Sequence, residues 1–295
     1  MSAAPRLSVV MPAFDAAATI GAAVDSALAQ TVTEIEVLVV DDGSTDATVA
    51  EVARRAERDA RVVLLTQANA GPSAARNRAI GRARGPVVAF LDADDLMLPV
   101  YAERMLDRLE RRPDVALVAC DAYIYDERYG RVRRRTVLDD VAPPTPLPAG
   151  ADAQFAALAD HNFVYVGCAV RTDALRAVGG FPADTRTSED WDLWLRLLDA
   201  GHPMDLLREP LAVYRYSEGQ AHRDAAAMAR GQERLDAWIR STGRVGDLRR
   251  AGATGAADGS ASALKALVPA PLRRALTCRR RPPSPVAAAF PRLGR

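Results

Sequence analysis

"EVLVVDDGSTDATVAEVARRAERDARVVLLT", residues 36–66, decides the architecture. An apolar, β-branched run ends in two aspartates and a glycine, an amphipathic stretch follows, and a second β-branched run closes the segment. The pattern predicts a strand over 36–42, a helix over 44–56 with Ser44 or Asp46 as its N-cap, and a strand over 61–66. Two strands joined through a helix pair in parallel, and parallel strands are buried on both faces, so they read as continuous rather than alternating apolar runs.

Working outward, the alternation continues. "RLSVVM" (6–11) predicts a first strand and residues 19–31 a helix with Ile20, Val24, Ala27 and Leu28 at helical spacing. Residues 71–83 predict a helix, "GPVVAFLD" (85–92) a strand, 101–113 a helix stopped by Pro113, and 115–126 a strand. The fold class is therefore α/β, a doubly wound, mostly parallel sheet with helices on both faces. In such sheets ligands bind at the carboxyl ends of the strands. The unusual residues gather there: "MPAFD" (11–15), "DDGSTD" (41–46) and "DADD" (92–95).

The second half is less regular. A proline-rich connection (141–152) leads to a glycine-rich turn (178–187), a helix (188–201), a strand (209–216) and a last helix (231–242). From Gly243 onward Ala, Gly, Arg and Pro dominate. Residues 1–242 are expected to form the catalytic domain and 243–295 a largely flexible basic tail. Formal net charge is +1, but no acid follows Asp258 while eight bases do; without those eight, 31 basic residues face 38 acidic ones, about −7. Three widely spaced cysteines (Cys120, Cys168, Cys278) argue against a disulfide framework and a cysteine zinc site. No stretch reaches the roughly 20 apolar residues of a membrane span, and the first residues lack a secretory-signal pattern. A cytoplasmic protein is expected, at most peripheral at the inner face of the membrane, with the tail either solvated or in contact with anionic lipid. Nucleic acid is not an expected partner.

Three carboxylates within residues 92–95, at the end of an apolar strand, repel one another unless a cation sits among them. A solvated turn is the plain alternative. If the strand stays extended, Asp92 and Asp94 project to one side. Mg²⁺ takes one or two carboxylates plus phosphate and water oxygens, which suits a metal-bridged nucleoside diphosphate. Asp95 is expected to cap the next turn. In "SEDWDLWLR" (188–196), Trp191, Trp194, Leu195 and Leu198 fit a buried stripe, and Glu189 and Asp190 fit the helix dipole. A carboxylate there is also a candidate general base. His161, His202 and His222 are scattered and read as surface or loop residues. Dinucleotide and P-loop glycine motifs are absent.

Taken together, "SVVMPAFDAAATIGAAVDSALAQT", "EVLVVDDGSTDAT", "NAGPSAARNRAIGRARGPVVAFLDADD", "GGFP", "SEDWDLWLRLLDAG" and "EPLAVYR" resemble the family 2 glycosyltransferases of the GT-A fold over roughly residues 6–216. The resemblance implies inverting transfer of a sugar from a nucleotide donor, usually UDP-linked, with Mg²⁺ or Mn²⁺. It implies that Pro12, Ala13 and Phe14 form a nucleotide-binding turn and that Asp42 recognises the base. Asp92 and Asp94 become the D-x-D pair, Asp92 near ribose and metal, Asp94 on metal and diphosphate. Asp190 becomes the general base, with Glu189 and Trp191 on the acceptor side or at the helix cap. The acceptor it implies is a glycan, a lipid-linked saccharide or a cell-envelope component. Where relatives often carry a histidine two positions after "YR", this chain has Ser217, with His222 further along. A nucleotidyltransferase and a non-catalytic sugar-nucleotide-binding or glycan-binding module are the alternatives. The first is disfavoured because "PAFDAAATI" (12–20) has no basic residue.

Overall fold

The computed structural model describes residues 4–183, 187–217 and 225–244. Its first half builds a parallel sheet from β1 (Leu7–Ala13), β2 (Ile35–Asp41), β3 (Val62–Thr66) and β4 (Val87–Phe90), in the order β3-β2-β1-β4. Helices α1 (Ile20–Leu28), α2 (Thr48–Ala56) and α3 (Pro72–Arg82) connect these strands. Every residue of β2 is buried. Strand alternation sends Val9, Met11, Val37 and Val39 into one apolar core with α1, α2 and α4 (Tyr101–Arg111). It sends Val10, Leu38, Val40, Val88 and Phe90 into another, with α3, α6 (Ala151–Asp160) and α8 (Glu189–Asp199). The predicted doubly wound architecture follows from these two covered faces.

Beyond β4 the sheet becomes mixed. β8 (Ala169–Arg171) pairs antiparallel with both β4 and β6 (Leu117–Asp126), and β6 runs parallel to β9 (Met204–Tyr216). β5 (Leu96–Met97) pairs antiparallel with β9, and β7 (Arg131–Thr136) pairs with β6. Short α5 (Val137–Val141) and α7 (Thr172–Ala177) and the longer α9 (Ala225–Ser241) complete the described chain.

Several boundaries differ from the sequence expectation, each for a local reason. α2 begins at Thr48 with Ala47 at the cap position, while Asp46, one residue earlier, accepts from Thr48 N–H (2.9 Å) and also from Ala17 N–H (2.9 Å); Ser44 instead accepts from Asp15 N–H (3.0 Å). β4 ends at Phe90, and residues 92–95 form a turn closed by Asp95 N–H donating to the Asp92 carbonyl (3.1 Å). Strand alternation therefore does not align Asp92 with Asp94. The last helix starts at Ala225 rather than at residue 231, and β9 starts at Met204 rather than at 209. Cys120 and Cys168 are buried and unbridged. No helix among the described residues is long and apolar enough to cross a membrane. His222, Cys278 and the basic tail after Arg244 lie outside the described residues.

Candidate active site

The carboxyl ends of β1 and β2 meet directly: Asp42 N–H donates to the Ala13 carbonyl (2.8 Å). The loops that follow are zipped by side chain to backbone bonds. Asp15, at φ 45, accepts from Thr45 N–H (2.7 Å), and Thr48 Oγ1 accepts from Ala16 N–H (2.7 Å). Gly43 turns at φ 80, and a Cβ there would lie 2.9 Å from the Asn69 backbone nitrogen. Phe14 is left 51% exposed at this rim, beside the half-buried Pro12 and the buried Ala13.

Asp42 has a structural task. Its carboxylate accepts from Gln67 Nε2, Ala70 N–H and Gly71 N–H, each at 2.8 Å, and so ties down the turn before α3. A carboxylate has about four acceptor positions, and three of those of Asp42, itself 3% exposed, are taken.

The 92–95 turn divides its acids. Asp92 is 32% exposed and Asp94 is also partly exposed, whereas Asp95 is 1% exposed. Asp95 does not cap the next turn. It accepts from the Tyr165 hydroxyl and from Arg215 N–H (2.8 Å), while Arg215 Nε donates to the Asp94 carbonyl (2.9 Å). Burial, with the charges of Asp94 and Asp92 behind it, pushes the Asp95 carboxyl well above its ordinary range. Two of the three acids face the rim and the third anchors the turn.

The start of α8 comes to the same place. Ser188, its N-cap, sits at φ 59, and no side chain caps the helix. Glu189 does not serve as a cap; it accepts from Arg76 Nη1 (2.8 Å), and Arg76 Nη2 donates to Asp92 Oδ1 (2.7 Å). Arg76, only 4% exposed, thus joins the D-x-D turn to the acidic start of α8. Its guanidinium lies 5.1 Å from the centre of the Phe181 ring. Phe181 is clamped by Asn77, which accepts from Phe181 N–H (2.8 Å) and donates to the Phe181 carbonyl (2.7 Å). The neighbouring Gly180, at φ 73, lets Asn77 approach; a Cβ there would lie 2.4 Å from Asn77 Oδ1. Residues 75–77, 179–182 and 188–190 thus form one unit.

Asp190 stands beside this bridge, half-buried. Burial first, and the Glu189 charge second, push its carboxyl up to about 7; Arg76 pulls the other way. A carboxyl near neutrality suits a general base. Trp191 belongs to the core: it is 8% exposed and its indole N–H donates to the Leu158 carbonyl (2.9 Å), so it offers no acceptor-side surface. Arg76, Asn77, Tyr165 and Arg215 carry the site's framework, and the sequence reading assigned them no role. The signal for Arg76 and Asn77 was present in "SAARNRA", where an Arg on the apolar face of a short helix needs a buried acid.

Among the described residues no three His, Cys, Asp or Glu side chains are grouped to hold a metal. The oxygen-only pair of partly exposed carboxylates, Asp92 and Asp94, fits a hard divalent ion whose remaining ligands come from phosphate and water.

The family model described as "Glycosyl transferase family 2" matches residues 8–179. The chain belongs to glycosyl transferase family 2. This family 2 glycosyltransferase is 37% identical over 163 residues to the succinoglycan biosynthesis protein ExoO of Rhizobium meliloti (strain 1021), a match covering 55% of this chain. The match spans 46% of that relative, less than half its length. Its fold is similar to S. aureus TarS 1-349 in complex with UDP-GlcNAc (TM-score 0.65, 20% identity), over 83% of this chain and 68% of that one. It is also similar to the mannosyltransferase PcManGT from Pyrobaculum calidifontis in complex with GDP-Man and Mn2+ (TM-score 0.61, 22% identity), over 83% and 66%. The fold is GT-A, as expected. Membership of the family decides against the nucleotidyltransferase alternative.

Proposed function

We propose that this glycosyltransferase is an inverting, metal-dependent enzyme that moves a sugar from a nucleoside-diphosphate donor, a UDP-sugar first among the candidates, to a hydroxyl of a glycan, lipid-linked saccharide or cell-envelope acceptor. The observation that carries the reading is the Arg76 bridge, which brings the start of α8 and the Asp92–Asp94 turn to one rim. Pro12, Ala13 and Phe14 would bed the nucleotide, with the exposed Phe14 ring available for stacking and the remaining acceptor position of Asp42 for the base edge. Asp92 and Asp94 would hold Mg²⁺ or Mn²⁺. When bound, the cation supplies Lewis-acid stabilisation of charge on the departing diphosphate.

Asp190 would take the proton from the acceptor hydroxyl as its oxygen attacks the anomeric carbon from the face opposite the diphosphate. One displacement inverts the configuration and requires no protein nucleophile.

The test has two steps. A thermal-shift screen of UDP-, GDP- and dTDP-sugars, with and without Mn²⁺, should show one donor class raising the melting temperature only with metal. At about 100 times its Kd a ligand adds about 2.7 kcal/mol, or roughly 5–10 °C for a domain of this size. Nucleoside-diphosphate release with that donor and a panel of glycan and lipid-linked acceptors should then proceed with inversion at the anomeric carbon. Binding without turnover on any acceptor would favour the non-catalytic module instead.

A further inference from the structure

We infer that Arg76 is a positioning residue for transfer: by holding Glu189 against Asp92 it sets where α8 begins and where Asp190 faces. This rests on the glycosyltransfer reading above. Its guanidinium is fixed on every side that matters. One terminal nitrogen is bonded to Glu189 (2.8 Å) and the other to Asp92 (2.7 Å), residues 113 and 16 positions away in sequence. The Phe181 ring packs against it at 5.1 Å, and Phe181 meets Phe90, the last residue of β4, edge-on at 5.1 Å. The same β4 carries the acidic turn.

Arg76 Nε is buried and has no hydrogen-bond partner. The bridge is made by the two terminal nitrogens, which span carboxylates on separate elements from a side chain only 4% exposed. At the far end of the bridge the chain enters α8 through Ser188 in the left-handed region, φ 59, a conformation costly for a non-glycine residue. The ion pair on the next residue holds that entry in place. Without Arg76 the Asp92, Glu189 and Asp190 carboxylates would face one another uncompensated, and the first turn of α8 would move.

An arginine fork can serve two carboxylates in one plane; an ammonium cannot. Arg76→Gln removes the charge, and Arg76→Lys keeps the charge without the fork. A small displacement of a catalytic group can cost up to about 100-fold in rate. Both variants are therefore expected to lose about 10-fold or more in kcat while the Kd for donor and Mn²⁺, read by calorimetry, stays within about 5-fold. Arg76→Gln should also move the acid limb of the kcat–pH profile upward, since a neighbouring cation favours the ionised base; Arg76→Lys should restore the limb but not the rate. Wild-type kcat and pH profile in both variants, whatever their loss in melting temperature, would reduce Arg76 to scaffold and overturn the inference. If neither variant folds, Glu189→Ala breaks the same bridge from the other end and must show the same kcat loss. Asp190→Asn is the control. If it abolishes transfer while the Arg76 variants behave as wild type, this inference alone fails; if it keeps normal turnover, the assignment of Asp190 as base fails as well; and if the wild type transfers no sugar from any donor, the glycosyltransfer reading fails first.

Discussion

The two sides of the rim are built by different forces. On the β1–β2 side the loops are fastened by short-range bonds between side chains and backbone amides: Asp15 to Thr45, Ser44 to Asp15, Asp46 to Ala17, and Asp42 to the 67–71 turn. On the β4–α8 side the elements are held by ion pairs that Arg76 makes with Asp92 and Glu189. Three of those acceptors are carboxylates, each matched to neutral donors, and the bonds from Thr48 and Ala17 hold the Asp46 carboxyl below its ordinary range. Across the rim the carboxylates lie close to one another, and burial beside Glu189 pushes the carboxyl of Asp190 up to about 7. The molecule thus pairs a hydrogen-bonded shelf, the proposed nucleotide side, with an electrostatically set edge, the proposed reaction side.

That contrast breaks most sharply at Asp94. Asp94→Ala should weaken the binding of the screened donor in Mn²⁺ by about 10- to 100-fold, to the level of the wild type in EDTA, with little change in melting temperature. Calorimetry with and without chelator checks it; equal donor affinity in both conditions for the wild type would remove the metal from the account. Asp42→Ala should do the converse. It strands the Gln67, Ala70 and Gly71 donors, of which the Gly71 N–H is buried, and leaving a buried donor unpaired costs about 1–3 kcal/mol, so a stability loss of about 1–3 kcal/mol is expected in urea unfolding. A loss below about 0.5 kcal/mol would show that the shelf does not depend on that carboxylate.

How much of this was legible in the sequence follows the same division. The shelf could be read because its determinants are local: a β-branched run, "DDGSTD", then an amphipathic helix. The acids at the strand ends could be read because a parallel sheet puts its carboxyl ends on one rim. The Arg76–Glu189 pair spans 113 residues, and no periodicity reports such a contact. β5 and β8, at 2 and 3 residues, are too short to impose a pattern, and β7, Arg131–Thr136, is mostly arginine with Val132 its single buried residue, so it carries no apolar run. Trp191 was ambiguous because an aromatic in the first turn of a helix has the same spacing whether it faces core or substrate. Only the bond to the Leu158 carbonyl separates the two.

The pH dependence sharpens the contrast at a smaller scale. As the proposed base, Asp190 would work ionised, so kcat should rise with pH, the limb lying at about 7 or lower where a bound cation favours the carboxylate. The sign for stability is opposite: a carboxyl raised in the folded state binds its proton more tightly there, so its contribution is present at low pH and lost as pH rises from about 4 to about 7. A kcat profile flat from pH 5 to 8 would contradict this. The smallest effect is expected at Phe14, exposed at the rim. Phe14→Ala should raise the donor Kd by roughly 3- to 10-fold, the scale of one lost aromatic contact, and leave stability within about 0.5 kcal/mol.

The central claim is that the start of α8 supplies the base. Neighbours on a helix point about 100° apart, so Glu189 and Asp190 cannot both address one hydroxyl. The measurement is the transfer rate beside the donor Kd for Asp190→Asn, in the donor and acceptor found by the screen. The account predicts a kcat lower by at least about 100-fold, in the range of general-base loss, with donor Kd within about 3-fold of wild type. Near-normal turnover in Asp190→Asn at unchanged donor affinity would contradict it.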